Sequence, residues 1–337
     1  MLLPNPNTTA RLRPDHPPVL LVIVDTEEEF AWDQPFNRGS VGTTSISGQP
    51  HIHERVYDRL GIVPTYMVDW PVATTPQSIA TLHALMKAGQ CEIGTHLHPW
   101  VSPPYEETVS PFNSYAGNLP RQLEYDKLRL LTSAITDAFQ RSPVAFKAGR
   151  YGVGPNTAEI IASLGYQIDA SVVPYTAFTI DGGPDFSAFD EHPYWFTAGG
   201  GDLLELPVTA GFCGWLRNSG PAIYPITQQS WAKTVKLGGI LARTRGLERI
   251  RLSPEGATAG DMMRLTQALM RTGCQVYSLT YHSPSLVPGH TPYVRSAADL
   301  AQFVESIRSY CTWFQQELGG VFLSLSQVRA AMAKQVG

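Results

Sequence analysis

Charged side chains are scarce in this chain: Asp, Glu, Lys and Arg make up 16% of the 337 residues, against 43% hydrophobic. Such a composition excludes disorder and supplies a sizeable core. The 25 basic residues fall short of the 29 acidic ones, the isoelectric point is near 6.1, and Lys and Arg form no consecutive run. A nucleic-acid binder built on a general basic face is thereby excluded. Cysteine is rare as well. Cys91, Cys213, Cys274 and Cys311 are far apart with no CxxC pair, which argues against a zinc knuckle or a disulfide scaffold and for reduced, buried thiols. No stretch approaches the ~18 apolar residues of a membrane span. The opening MLLPNPNTTARLRPDHPP has no apolar segment beyond its first three residues. Its prolines imply an extended arm over 1–17, and the missing export signal implies a cytoplasmic location.

What the sequence does have is a rhythm. Short apolar, β-branched runs at 19–24, 62–68, 91–95, 144–148, 166–169, 203–208, 276–281 and 321–325 read as buried strands. Helix-like segments lie between them, at 77–88, 121–139, 157–164, 228–245, 259–271 and 297–316. Repeated strand–helix alternation means parallel strands with crossover helices, a (β/α) barrel or a doubly wound sheet. A Gly-rich phosphate loop is missing after the first strand, where a dinucleotide fold needs one. Polar residues instead follow several different strand ends, where barrels assemble their sites. With 29 Gly and 27 Pro, the aperiodic stretches 99–120 and 174–202 read as loops over the mouth. A single domain over 18–337 is the expectation.

Asp25 and Glu27 sit two apart after the first strand, so extended backbone turns both carboxylates to one side; a helix N-terminus would also account for them. His96 and His98 repeat the spacing after another strand, where two imidazoles can share one cation. The similar pair His51 and His53 has no strand before it and precedes an amphipathic helix pattern, so it is set aside as a metal site. Lys147 and Arg150 follow the 144–148 strand and are either partners of a carboxylate or ordinary surface charge. His282 ends a strand before a Pro/Gly loop, as a general acid or a capped structural histidine. Trp32, Trp70, Trp100, Tyr105 and Trp195 flank strand ends and are candidate sugar platforms or loop anchors.

Together the stretches VDTEEEFAW, EIGTHLHPW, FKAGRYG and HSPSLVPGHTPY resemble the polysaccharide deacetylase family, carbohydrate esterases of the NodB-homology type, and among them the WalW-like subgroup. The likeness spans roughly residues 18 to 325, in the family's motif order. It implies a distorted (β/α) barrel of about seven parallel strands. It also implies a metal-dependent hydrolase that removes an N-acyl group, usually acetyl, from an amino sugar in a polysaccharide or glycan precursor. On the same resemblance Asp25 is the catalytic base. Glu27, His96 and His98 hold a divalent ion, most readily Zn²⁺, and His282 is the acid. Trp32, Trp100 and Tyr151 face the sugar, with the Tyr151 backbone N–H a candidate oxyanion donor.

The departures from the family pattern are specific. The first motif is Asp-x-Glu rather than adjacent aspartates, and the histidines are two apart rather than four. Lys147 stands where the third motif has arginine, with Arg150 three residues on, so either cation is a candidate partner of the base. Ser283 stands where Asp or Asn is frequent, and Asp169 matches the fourth motif's acidic residue loosely. Three other readings stay open: a metal-independent amidohydrolase acting on ureides or cyclic imides, a non-catalytic carbohydrate-binding relative, and a glycosidase pairing Asp25 with Glu205. A cytoplasmic chain would meet a carrier-linked precursor rather than an assembled polymer.

Overall fold

The computed structural model describes residues 9–332; residues 1–8 of the expected arm lie outside the described residues. The strand β1 (Val19–Thr26) is buried along its whole length, as its unbroken apolar run demands of a parallel strand covered on both faces. Following the chain come β2 (Thr65–Val68), β3 (Glu92–Leu97), β4 (Ala145–Ala148) and β5 (Ile168–Asp169). The hairpin strands β6 (Tyr194–Ala198) and β7 (Gly201–Glu205) follow, then β8 (Ala210–Cys213), β9 (Glu248–Arg251), β10 (Val276–His282) and β11 (Val321–Phe322). The main sheet runs β10-β1-β2-β3-β4-β5-β7-β6. Every neighbouring pair is parallel except the β6–β7 hairpin. Seven strands on this path run parallel, β11 adds a short eighth beside β1, and the sheet curls into a distorted barrel, as the alternation and the resemblance implied.

Two devices complete the curl. One edge of β1 is shared, with Val19 and Leu20 pairing β11 and the residues from Ile23 onward pairing β2. Across the gap between the chain after β7 and β10, side chains replace a regular ladder. Thr209 N–H donates to Ser278 Oγ at 2.9 Å, Ser278 N–H to Thr209 Oγ1 at 2.8 Å, and Ser278 Oγ to the Pro207 carbonyl at 3.1 Å. Buried backbone groups must find partners, and here two hydroxyls supply them.

Some expectations needed correction. The 174–202 stretch is not all loop, since its last third is the β6–β7 hairpin; Ala10 N–H bonds the Pro193 carbonyl at 2.8 Å beside it. The 228–245 segment is two short helices, Ser230–Thr234 and Leu237–Arg243, separated by Lys236 in the left-handed region (φ 54°). Of the 321–325 run only Val321 and Phe322 pair, and Leu325 already opens a helix capped by Ser324. Strands β8 and β9 form a separate antiparallel pair that the strand pattern did not reveal.

Helix Arg121–Phe139 buries Leu128, Leu131, Ile135 and Phe139, a stripe at helical spacing. On the same helix, buried Lys127 pins the loop that leaves the two histidines. Its ammonium donates to the carbonyls of Pro99 (3.0 Å), Ser102 (2.6 Å) and Pro104 (2.7 Å) and pairs with Glu107 at 2.9 Å. Removing it strands three carbonyls and a buried carboxylate. Lys127→Met is therefore expected to cost about 3–5 kcal/mol in a urea unfolding measurement, a loss that an exposed Lys87→Met change should not produce.

Candidate metal and catalytic site

Strand register brings the candidate residues together. Parallel pairing sets Asp25 beside His282 on β10, and His96 on β3 beside Lys147 on β4. Alternation along β3 then turns Thr95 outward, to accept from the Tyr166 hydroxyl at 2.8 Å, and His96 and His98 inward. The pocket at these strand ends has a volume of about 390 Å³ and is lined by Asp25, Glu27, His96, His98, Arg251 and His282, with aromatic walls that include Trp32, Tyr151 and Tyr293. That size and mix suit a small polar ligand.

Glu27 Oε2 lies 3.4 Å from His96 Nε2 and 3.5 Å from His98 Nε2, and one ligand atom from each of the three residues falls within 4.8 Å of the others. Glu27 Oε1 is buried without a hydrogen-bond partner among the described residues. Burial, reinforced by Glu28, Asp25, Asp69 and Glu255, pushes its carboxyl well above the ordinary range. A carboxylate in such a place needs a cation. Both histidines are held neutral chiefly by burial, His98 at about 4 and His96 well below its usual value. A neutral imidazole is the ligating form. Each ring is also oriented from behind: His96 Nδ1 sits 3.0 Å from the Lys147 carbonyl, and His98 Nδ1 sits 2.7 Å from Glu28 Oε2. Glu28 Oε1 accepts from Trp100 Nε1 at 2.8 Å, and Glu28 N–H donates to Asp69 Oδ2 at 2.8 Å. This is the carboxylate–histidine backing typical of metal centres, and the donor set fits a divalent ion.

Asp25 answers the question of the paired cation. Both its oxygens lie 2.6 Å from Lys147 Nζ, deep in the barrel. Burial would raise its carboxyl, but Lys147, with help from His96 and His282, holds it below the ordinary 3.8. The ionised pair stabilises the fold above that value, and the contribution drains away as acid takes the pH below it. Arg150 goes elsewhere: its guanidinium bonds Ser114 Oγ, reaches Asp181 at 3.1 Å and lies 4.2 Å over the Tyr115 ring. It lines the pocket without touching Asp25.

His282 Nε2 faces Asp25 Oδ2 at 3.8 Å. Its Nδ1 is 2.7 Å from Glu255 Oε2, and its backbone N–H donates to Glu255 Oε1 at 3.1 Å. Despite burial, His282, Ser285 and that backbone bond keep Glu255 below the ordinary carboxylate range. Asp169 does not join this constellation. It accepts from Ser171 N–H and Oγ at 3.1 and 2.5 Å and shares a separate cavity of about 40 Å³ with Glu205. Burial raises it to about 6. The Asp25–Glu205 glycosidase pairing fails for the same reason, because Glu205 faces that other cavity.

The aromatic candidates divide. Trp32, 37% exposed, meets the His282 ring edge-on at 5.0 Å and stacks on Phe30. Trp100 is buried against His98, with ring centroids 4.2 Å apart, and so braces a ligand rather than offering an open platform. Tyr151, at φ 61°, presents its ring to the pocket while its hydroxyl accepts from Arg251 at 2.9 Å. Trp70, Tyr105 and Trp195 do not line it. Of the set-aside pair, His53 is buried and bonds Tyr66 at 2.9 Å, an ordinary core contact. Glu28, Asp69 and Glu255 are the functional candidates that sequence spacing missed. Asp69 follows a four-residue strand and Glu255 lies in an aperiodic loop.

The fold has known counterparts. A putative polysaccharide deacetylase from Mycobacterium smegmatis superposes with a TM-score of 0.56 at 18% identity, covering 98% of this chain and 95% of that one. A probable polysaccharide deacetylase from Pseudomonas aeruginosa PAO1 gives 0.52 at 12% identity, over 94% and 91% of the two chains. Puue allantoinase gives 0.53 at 13% identity, over 93% and 89%. No family model matches the sequence, and no curated protein matches it. The chain shares the distorted barrel of the polysaccharide deacetylases.

Two substitutions test the site's construction. Glu27→Gln should abolish divalent-metal binding, read by elemental analysis. It should also leave the metal-free protein about 1–3 kcal/mol more stable at neutral pH, because it removes a buried carboxyl that folding holds away from the ionised form it prefers in water. A Cβ at Gly149 would collide with the His98 ring and the Leu97 carbonyl. Gly149→Ala should therefore displace His98 and weaken metal binding by about tenfold or more, measured by competition with a chelator.

Proposed function

We propose that this chain is a metal-dependent hydrolase that removes an N-acyl group, in the first instance acetyl, from an amino sugar. The observation that carries the reading is the buried Glu27 with one oxygen unpartnered, beside two neutral histidines and 2.6 Å ion-paired Asp25. An amide resists hydrolysis at both ends: its carbonyl is a weak electrophile and its nitrogen a poor leaving group. A divalent ion on Glu27, His96 and His98, with zinc the natural choice for two imidazoles and a carboxylate, supplies Lewis-acid polarisation and acidifies water.

The chain's own groups do the rest. Lys147 keeps Asp25 ionised and fixes its direction, so that the carboxylate can take a proton from water in the pocket. His282 stands on the opposite side of Asp25 from Lys147's strand, and Glu255 fixes its tautomer by accepting from Nδ1. Nε2 is then free to protonate the departing nitrogen, while Glu255 stabilises the imidazolium that precedes transfer. Trp32 and Tyr151 offer ring faces to the apolar side of a sugar. The WalW-like subgroup, the acetyl group and a carrier-linked precursor as the preferred substrate belong to the same proposal, supported by the four motifs and by a pocket of about 390 Å³.

Acetate release from N-acetylated amino sugars, free, carrier-linked and polymeric, tests it. Chelation should stop turnover, and Asp25→Asn, Lys147→Met and His282→Ala should each keep the metal yet lose about 10²–10⁴ in kcat. Arg150→Met should leave a larger residual rate than Lys147→Met. Hydrolysis of ureides in the presence of chelator, with no acid released from any N-acyl sugar, would replace this reading with the metal-independent amidohydrolase.

A further inference from the structure

Between β8 and β9 the chain leaves the barrel for 34 residues, 214–247, and three short helices fold there (Gly220–Thr227, Ser230–Thr234 and Leu237–Arg243). The excursion carries Arg217, Lys233, Lys236, Arg243 and Arg245 and not one Asp or Glu, in a chain whose net charge is −4. It also exposes large apolar side chains that a barrel insertion would ordinarily bury. Trp215 is 71% exposed, Trp231 56%, Val235 55% and Ile240 51%. Trp231 and Val235 are four apart and share a face. The underside is docked: Ala232 and Thr227 are buried, and Tyr224 lies beneath the Arg249 guanidinium at 5.7 Å. One side of the excursion is therefore fixed to the protein while its outer side combines cations with tryptophan and aliphatic groups.

We infer that this excursion is a docking surface for an anionic lipid bilayer. Basic residues interleaved with Trp, Val and Ile are what the interfacial region of a membrane recognises. The cations meet acidic headgroups, the indoles sit at headgroup level, and the aliphatic chains enter the acyl boundary. A second copy of this chain fits worse, because a two-fold contact would bring the four exposed cations, Lys233, Lys236, Arg243 and Arg245, together with their own copies. A nucleic acid would use the charges but give Val235 and Ile240 no partner. Contact is peripheral, since no described helix is long and apolar enough to cross a membrane. Strand β9 leads directly from the excursion to Arg251 on the wall of the pocket, so a docked chain would hold its active-site barrel at the bilayer surface.

The test is co-sedimentation of the full chain with phosphatidylcholine vesicles, and with vesicles containing phosphatidylglycerol as well. Binding is expected only to the second, weakening as salt is raised. The double change Lys233→Glu with Lys236→Glu should reduce it by about tenfold or more. Trp231→Ser alone should also weaken it and should reduce the blue shift of tryptophan emission on mixing, with Trp215 supplying the remainder. Both variants should keep the wild-type far-UV circular dichroism and metal content, because their side chains are exposed and distant from the ligands in sequence. Equal sedimentation with both vesicle types, none with either, or variants that bind like wild type would overturn the assignment. So would a concentration-dependent dimer broken by the same substitutions. The readout does not depend on which amide the pocket hydrolyses.

Discussion

Buried negative charge sets the terms at the mouth of this barrel. Asp25, Glu27, Glu28, Asp69 and Glu255 are all buried there, and removing even one ionised carboxylate from water costs several kcal/mol unless it is paired. Four of the five find answers within the chain. Lys147 holds Asp25, the indole N–H of Trp100 and the His98 ring meet Glu28, the Val72 backbone N–H caps Asp69 at 2.9 Å, and His282 with Ser285 satisfies Glu255. Glu27 alone keeps an oxygen without a partner among the described residues. With His96 and His98 beside it, Glu27 forms a donor set that fits a divalent cation.

The scaffold earns its rigidity from long-range links to the same place. Register on β1 against β10 and on β3 against β4 fixes four of the chemical groups without any loop, which is more exact than loop placement. Loops are used where they are tied down: buried Lys127 gathers three carbonyls of the segment after His98, and Gly149 lets β4 pass directly beneath the His98 ring. The hydroxyl pair Thr209 and Ser278 holds the open side of the curl. These are distant in sequence and adjacent in space, so local damage at any of them reaches the histidines.

How much of this the sequence displays follows from what each residue depends on. Period-2 spacing at a strand end is local, so Asp25, Glu27, His96 and His98 are legible from the pattern alone, and Lys147 and His282 from their strands. Glu255 and Asp69 are not, because their roles arise only where other strands deliver His282 and Glu28. Choosing Lys147 over Arg150 needed the third dimension, since a positive φ at Arg150 turns it toward Asp181. Asp169 matches the fourth motif only loosely, and β5 places it with Glu205 at a different cavity. Strand β6 and the turn into β7 are hidden because a Gly-rich turn within an aromatic stretch reads as loop, and the break in the 228–245 helix is hidden because left-handed Lys236 has no signature.

The central claim is that one cation completes the buried carboxylate–histidine cluster and that catalysis depends on it. A calorimetric titration of chelated protein with Zn²⁺, with acetate release followed on the same samples, tests this most directly. Heat and turnover should saturate together at about one ion per chain. Turnover in the chelated protein, or tight binding that leaves turnover unchanged, would contradict it.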